Sequence, residues 1–197
     1  MSDYLAVDIV ILPPSEVMDK AIALNKEYES HFILNKNDRL PHITLMQAVV
    51  KKSDLEKAEI KLKAIANSFK PLKLSANIVK TPAFTLEIQK TLQLNNLHVT
   101  VMDEFKDLVS YVARADQFYD EIVNDGAVVW VKNFLVNSAY DKYHPHITFT
   151  TSEPADLEES MEFTANRRAI CHLGSYGTCR KILFETKLGL TPASGSS

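Results

Sequence analysis

Pro41-His42-Ile43-Thr44-Leu45 in the first half of the chain recurs in the second half as Pro145-His146-Ile147-Thr148-Phe149. Both segments read Pro-His-Ile-Thr followed by a large apolar residue. The shorter pattern His-x-Thr is weak evidence by itself, because it also occurs at His98-Val99-Thr100 with no preceding proline. We interpret His98 as a surface or capping histidine. The five-residue match is the feature from which fold and function are predicted.

Each segment is predicted to form a β-strand, over residues 42–50 and 144–150. Residues i and i+2 of a strand point to the same side, so each histidine shares a face with its threonine while the isoleucine faces the core. In the second strand that face carries His144, His146, Thr148 and Thr150. Such a polar row is costly to bury without partners, and it therefore indicates a wet cleft.

Apolar patterning elsewhere predicts alternating helices and strands. The remaining predicted strands are 5–12, 72–79, 83–88, 169–173 and 181–187. Ser15 is predicted to cap the first helix, and Ser53 with Glu56 to form a capping box for the second. The second half adds a helix with an apolar stripe from Leu97 to Val112, a helical stretch at 116–135 and a short acidic helix at 155–161. The first half thus reads β-α-β-α-β-β, and both halves together predict two similar α+β lobes.

Composition sets the broad class of the protein. The 197 residues are 46% hydrophobic and 24% charged with a net charge of −3, which is typical of a globular protein. This charge argues against bulk duplex nucleic acid as a partner. The sequence lacks a long apolar run and a recognisable secretory signal, so we expect a cytoplasmic protein with no membrane partner. Its modest charge and the lack of a long heptad pattern favour a monomer. Cys171 and Cys179 are predicted to be free thiols. Residues 1–190 are expected to form one bilobal domain, and 191–197 a disordered tail.

Two imidazoles, each beside a hydroxyl, suit the cleavage of a phosphodiester. One neutral ring can take a proton from water while the other, protonated, donates a proton to the leaving oxygen. The hydroxyls of Thr44 and Thr148 can hydrogen-bond the non-bridging phosphoryl oxygens and stabilise the charge that develops there. This chemistry requires no metal and no cofactor.

The paired motifs, in the strand contexts PHITLMQAVV and YHPHITFTT, resemble those of the 2H phosphoesterase superfamily. That superfamily includes 2′-5′ RNA ligase-like proteins and cyclic nucleotide phosphodiesterases, and the resemblance covers residues 3–190. It implies an α+β bilobal fold, with two pseudo-symmetric lobes of antiparallel sheet, helices outside and a central cleft. It also implies action on 2′,3′-cyclic phosphates or 2′-5′ links of RNA ends or small nucleotides. The implied catalytic set is His42, Thr44, His146 and Thr148, with His146 expected to activate water and His42 to protonate the leaving oxygen.

Other residues are candidates for binding the substrate. Tyr176 lies in a glycine-bounded turn that can present its ring for base stacking. Arg39 precedes the first motif, and Lys142 with Tyr143 precedes the second, so these side chains can steer a phosphate or stack a base at the rim. His144 shares a face with His146 and can orient it or contact substrate.

Three alternatives remain open from the sequence. His42, His144 and His146 could ligate zinc in a metal hydrolase, although this leaves both threonines without a role. A non-catalytic nucleotide or RNA-end binding module would use the same cleft without needing both histidines. A 2′-5′ RNA ligase would reverse the same acid–base chemistry, since the chain has no GxxxxGK[ST] loop for ATP-driven ligation.

Overall fold

The computed structural model describes residues 2–28, 30–79, 84–150 and 160–189, and these ranges contain four α-helices and nine strands. The helices are α1 (Ser15–Glu27), α2 (Leu55–Ser68), α3 (Leu92–Phe105) and α4 (Asp125–Asn137). The strands are β1 (Tyr4–Leu12), β2 (Ile43–Lys51), β3 (Leu72–Val79), β4 (Phe84–Ile88), β5 (Val109–Ser110), β6 (His146–Thr150), β7 (Ser160–Ala165), β8 (Arg167–Leu173) and β9 (Cys179–Lys187). The predicted β-α-β-α-β-β order of the first half is confirmed.

The strands form two antiparallel sheets, as predicted. One sheet has the order β5-β2-β1-β8-β9 and the other the order β6-β4-β3-β7. Each sheet takes strands from both halves of the chain, so the two lobes are interleaved and do not correspond to successive halves of the sequence. The first motif lies on β2 of the five-stranded sheet and the second on β6 of the four-stranded sheet. The structure thus places one motif in each lobe.

A single hydrophobic core joins the two sheets. It contains Val7, Ile9 and Ile11 from one face of β1, together with apolar side chains of α1, α2, α3 and all four strands of the smaller sheet. The opposite face of β1 is covered differently. There, Ala127 and Val131 of α4 pack near Ala6 at the start of the strand, in a second cluster. Val10 and Leu12, at the other end of that face, belong to a third cluster, and the buried Asp8 lies between the two clusters along the strand.

A β-bulge follows the threonine of each motif. In β2, Val10 of β1 pairs with Thr44 but Ile9 pairs with Met46, so Leu45 is an extra residue. In β6, Thr148 and Thr150 pair with consecutive residues of β4, so Phe149 is the extra residue. A bulge re-aims the side chains that follow it. For this reason the polar row expected on β6 ends at Thr148, and Thr150 is fully buried.

A buried side chain from a helix binds the carbonyl of each bulged residue. In the smaller sheet, Asn25 of α1 donates from Nδ2 to Phe149 O at 2.7 Å. In the larger sheet, His98 of α3 donates from Nδ1 to Leu45 O at 2.8 Å. The prediction that His98 lies at the surface is therefore wrong, since it is fully buried. Buried carbonyls need such partners, and the equivalent use of α1 and α3 makes the two lobes pseudo-symmetric.

Both predicted helix caps are wrong. α1 begins at Ser15 directly after Pro14, and no side chain caps it. A 3-10 turn over Lys52–Asp54 moves the start of α2 to Leu55, so the capping box of Ser53 with Glu56 does not form. In both places the N-cap lies one residue from the predicted position, at Pro14 for α1 and at Asp54 for α2.

Three predictions for the second half need correction. The helical stretch predicted at 116–135 begins only at Asp125, because residues before it form a 3-10 turn and pack Phe118 under α4. α3 ends at Phe105, so the stripe does not extend to Val112, which is exposed. The acidic helix predicted at 155–161 is wrong at 160 and 161, which pair with β3 as part of β7. Residues 155–159 and the predicted tail 191–197 lie outside the described residues.

Replacing Asn25 by Leu tests the role of this bulge contact in stability. Besides binding Phe149 O, Asn25 Nδ2 donates to Phe32 O at 3.0 Å, and Asn25 Oδ1 accepts the amide proton of Leu34 at 2.6 Å. All three backbone groups would lose their hydrogen-bond partner in the variant. We expect the free energy of unfolding in urea to fall by about 3–5 kcal/mol. Asn96→Leu, on the exposed face of α3, is the matched control and should cost under about 0.5 kcal/mol. Equal stability of the two variants would contradict the assignment.

Candidate active site

A cavity of about 350 Å³ lies between the two motif strands. His42, Thr44, His146 and Thr148 all line it, so the four residues predicted from the motif repeat meet at one place. The rest of the wall is formed mainly by aromatic, aliphatic and amide side chains, which include Phe32, Leu34, Gln47, Trp130 and Tyr176. The cavity is the central cleft that the sequence indicates.

Each motif histidine is oriented by the backbone carbonyl two residues before it. His42 Nδ1 lies 2.7 Å from Leu40 O, and His146 Nδ1 lies 2.8 Å from His144 O. A carbonyl only accepts hydrogen bonds, so in both rings Nδ1 carries a proton and donates it. The nitrogen left for proton transfer is therefore Nε2 in both histidines.

Asp8 contacts two of the motif residues and is the candidate site residue that the sequence did not point to. It is fully buried on β1, and its Oδ2 accepts hydrogen bonds from Thr44 Oγ1 and Gln47 Nε2, both at 2.8 Å. The bulge at Leu45 makes this possible, because it turns residues 44 and 47 toward the same face. His42 Nε2 lies 3.5 Å from the same oxygen. The available signal was a single carboxylate inside an otherwise apolar strand.

The two histidines have opposite pKa shifts. Burial lowers the pKa of His42, but the contact with the Asp8 carboxylate, its charge and the Leu40 carbonyl more than compensate, and the net pKa is raised. Burial also lowers the pKa of His146, and the nearby charges of His144 and His42 lower it further, so the net pKa stays below its usual value. At any given pH near neutrality, His42 is therefore protonated to a larger extent than His146.

The buried His98, which binds Leu45 O of β2, also binds the segment that precedes β6. His98 Nε2 accepts the amide proton of Tyr140 at 2.8 Å, and its ring stacks on Tyr143 with a centroid distance of 3.9 Å. The hydroxyl of Tyr143 donates to Thr44 O at 3.2 Å. The segment that leads into the second motif is thereby attached to the strand of the first motif.

The predicted substrate-binding residues separate into two groups. Tyr176 lines the cavity between the two motif strands, and Arg39 lines a neighbouring cavity. Lys142, Tyr143 and His144 lie instead around a smaller hollow of about 160 Å³ that touches Thr44. Of these, Lys142 binds a helix carbonyl and His144 contacts Glu87 at 2.8 Å, while Tyr143 is buried. Their substrate contacts remain predictions.

The donor atoms do not gather as the metal alternative requires. Among the described residues, the group with the spacing for a metal ion is Asp8, His42 and Cys179, whose donor atoms lie within 4.8 Å of one another. It is not the set of His42, His144 and His146 that the metal alternative proposes. Asp8 already accepts two hydrogen bonds on Oδ2. Burial and the neighbouring Cys171 raise the pKa of the Cys179 thiol well above its usual value. Because the thiolate is the metal ligand, this donor set favours hydrogen bonding. Both cysteines are free, as predicted, and the structure shows that both are buried.

Solved structures share this fold. TT0787 of Thermus thermophilus superposes with a TM-score of 0.59 at 12% identity, covering 94% of this chain and 98% of that one. E. coli LigT complexed with NADP+ gives 0.56 at 12% identity, covering 95% and 99%. A structure described as a phosphoesterase gives 0.52 at 12% identity, covering 93% and 98%. No protein-family model and no curated protein sequence matches this chain.

The likeness extends over nearly the whole length of each chain, and it defines the class of fold. This protein has the two-lobed α+β fold of the LigT-type and phosphoesterase structures, and the predicted 2H phosphoesterase-like fold is confirmed. In the described part of the chain, no helix has the length and apolar character needed to cross a membrane.

His98→Gln tests the buried histidine contact through the pH dependence of stability. Burial, with a contribution from the charge of Lys90, lowers the pKa of His98 to about 4. Between this value and the unfolded value of about 6.5, the unfolded chain binds more protons. We therefore expect the free energy of unfolding to fall by about 3 kcal/mol from this residue as the pH drops from 6.5 to 4.

Glutamine keeps a donor and an acceptor but does not titrate in this range. Urea denaturation of both proteins at several pH values between about 7 and about 4 measures the slope. The variant should lose less stability on acidification than the wild type. Parallel pH dependences would show that His98 is not the titrating group.

Proposed function

We propose that this protein is a metal-independent phosphodiesterase that uses His42 and His146 as general acid and general base. The observation that carries the proposal is the pairing of two His-x-Thr motifs in one cavity, with pKa values shifted in opposite directions. An acid and a base that act in the same step need this difference near neutral pH. The proposed bond is a 2′,3′-cyclic phosphate or a 2′-5′ phosphodiester of an RNA end or small nucleotide.

In the proposed mechanism the two histidines act on opposite sides of the phosphorus. His146, neutral, accepts a proton from water at Nε2, and the resulting hydroxide attacks the phosphorus. His42, held protonated beside Asp8, donates its Nε2 proton to the leaving oxygen, so the reaction ends with the proton states exchanged. Proton exchange with water then returns both histidines to their starting protonation states. The asymmetry of the two pKa values supports this assignment over the reverse one.

The two threonines differ in the free protein. Thr44 donates its hydroxyl proton to Asp8. Thr148 lines the cavity, and no described residue forms a hydrogen bond with its hydroxyl. Thr148 is therefore the hydroxyl ready to donate to a non-bridging phosphoryl oxygen, whereas Thr44 mainly holds Asp8 in place beneath His42. The equal roles expected from the repeated motif are replaced by a division of roles.

Aromatic side chains around the cavity support a nucleotide substrate. Trp130 on α4 and Tyr176 in the β8–β9 turn are 52% and 47% exposed and both line the cavity. Half-exposed rings beside a catalytic site suit base stacking. Structures of E. coli LigT, which shares the fold, are complexed with ATP and with 3′-AMP. Both observations favour a nucleotide over a small phosphodiester without a base.

Hydrolysis of adenosine 2′,3′-cyclic phosphate and of 2′-5′-linked oligoadenylate in excess EDTA tests the proposed reaction. We expect turnover in the wild type and a decrease of about 10²–10⁴-fold in kcat for His42→Ala and for His146→Ala, because each removes one proton transfer. His172→Gln is the matched control, since His172 is bound to Gln117 O outside the cavity.

Each of the other outcomes identifies an alternative. Turnover abolished by EDTA would favour the metal hydrolase. Tight nucleotide binding without turnover, unaffected by either histidine variant, would favour the binding module.

Asp8→Asn tests the acid assignment through the pH profile. The rate requires neutral His146 and protonated His42, so it should rise with pH as His146 deprotonates and fall as His42 deprotonates. Removing the charge that raises the pKa of His42 should move the falling limb to lower pH. The rising limb should move in the same direction but less, because Asp8 contributes least to the pKa of His146. The difference between the two shifts is the internal control. A shift of the rising limb alone would reverse the two roles.

A further inference from the structure

A second cavity, of about 470 Å³, adjoins the catalytic cavity. Phe32, Tyr176 and Thr178 line both, so the two spaces share a wall of which the Tyr176 ring is the largest exposed part. The second cavity adds His31 and Arg39, which come from the loop between α1 and β2. The proposed two-histidine chemistry uses none of this space.

Tyr176 is held at the junction by a strained turn. Its φ of 59° lies in the left-handed region, which is unfavourable for a bulky side chain. Asn124 Oδ1 accepts the amide proton of Tyr176 at 2.7 Å, and Asp120 Oδ2 accepts that of Ser175 at 2.7 Å. The Tyr176 ring stacks on His31, with centroids 5.7 Å apart and planes 19° from parallel. Such strain persists where the surroundings impose it, and it concentrates at functional sites.

Of the two arginines near the second cavity, Arg39 is the one placed to bind an anion. Arg180 forms ion pairs with Asp38 Oδ2 and with Asp120 Oδ1, both at 3.0 Å, and thus compensates both carboxylates. Asp38 also accepts a hydrogen bond from Asn35 at 2.8 Å. Arg39 Nη1 forms a longer ion pair with Asp38 Oδ2, at 3.8 Å, and the Arg39 side chain is 36% exposed. Because Arg180 compensates Asp38 at a shorter distance, the Arg39 guanidinium can also bind an anion entering the cavity.

A stacked aromatic pair beside an available arginine matches the chemistry of one nucleotide unit. Aromatic rings accept a base, and a guanidinium binds a phosphate with two parallel hydrogen bonds. We propose that the second cavity is a subsite for the nucleotide adjacent to the reacting one, with Arg39 on its phosphate and Tyr176 with His31 against its base. This inference rests on the proposed function and specifies its substrate as the end of a single-stranded oligonucleotide, longer than one nucleotide.

The test compares substrates that differ only in length. Adenosine 2′,3′-cyclic phosphate is compared with the adenylyl dinucleotide and trinucleotide that carry the same cyclic end, in low salt. We expect kcat/KM of the wild type to increase at least about fivefold from the mononucleotide to the dinucleotide, as one stacked base and one phosphate contact allow. The trinucleotide should gain little more, because the subsite holds one unit.

Two variants test which residues cause the higher kcat/KM for the dinucleotide. Arg39→Gln should reduce the dinucleotide-to-mononucleotide ratio of kcat/KM toward one, and the remaining advantage should depend less on salt. Tyr176→Leu should reduce the advantage for the dinucleotide but much less for a dinucleotide whose neighbouring unit is abasic. Arg114→Gln is the matched control and should leave the ratio unchanged, because Arg114 is exposed outside both cavities and pairs with Asp116.

The outcomes separate the two proposals. Turnover of the mononucleotide with a wild-type ratio near one would overturn the subsite and leave the proposed function standing. A high ratio that Arg39→Gln does not change would overturn the phosphate contact. No turnover of any of the three substrates would overturn the proposed function, and with it the subsite.

Discussion

The bulge after each His-x-Thr motif shapes both the site and the helix layers beneath it. An uninterrupted β2 would turn residue 47 away from the face that carries Thr44, and Asp8 would lose one of the two donors that hold it. The bulge also displaces a backbone carbonyl, which cannot be left unpaired in the core. Asn25 and His98 bind those carbonyls, so the interior of each helix layer is partly specified by the geometry of the motif strand above it.

The histidines of two nearly identical motifs have opposite pKa shifts because their surroundings differ. Leu40 and His144 orient the two rings in the same way, through equivalent backbone carbonyls. Asp8, however, lies beside His42, whereas burial and the neighbouring histidines dominate the surroundings of His146. A buried carboxylate stabilises the protonated ring, and burial without one favours the neutral ring. The fold is pseudo-symmetric, but the electrostatics are not, and acid–base chemistry needs that asymmetry.

The proposed substrate contacts lie outside the motif strands. Apart from the motif residues themselves, the walls of the two cavities come mainly from the loop between α1 and β2, from α4 and from the turn between β8 and β9. These elements tolerate change more easily than the bulged strands, since loops support less of the core. Arg180 compensates two carboxylates there, so a chain with net negative charge can still present Arg39 to an anion.

The two motif strands, the four residues that meet in the cleft and the α+β order of the first half could be predicted from sequence, because periodicity and a repeated pattern are local properties. The partners of those residues depend on the tertiary structure. Thr44 reaches Asp8 across 36 positions, His98 reaches Leu45 across 53 and Asn25 reaches Phe149 across 124. No local pattern marks such pairs, since strand pairing and a one-residue bulge set which side chains meet. The prediction for His98 is wrong for the same reason. Its sequence neighbours suggest a helix cap, but its burial is determined by a displaced carbonyl on another element.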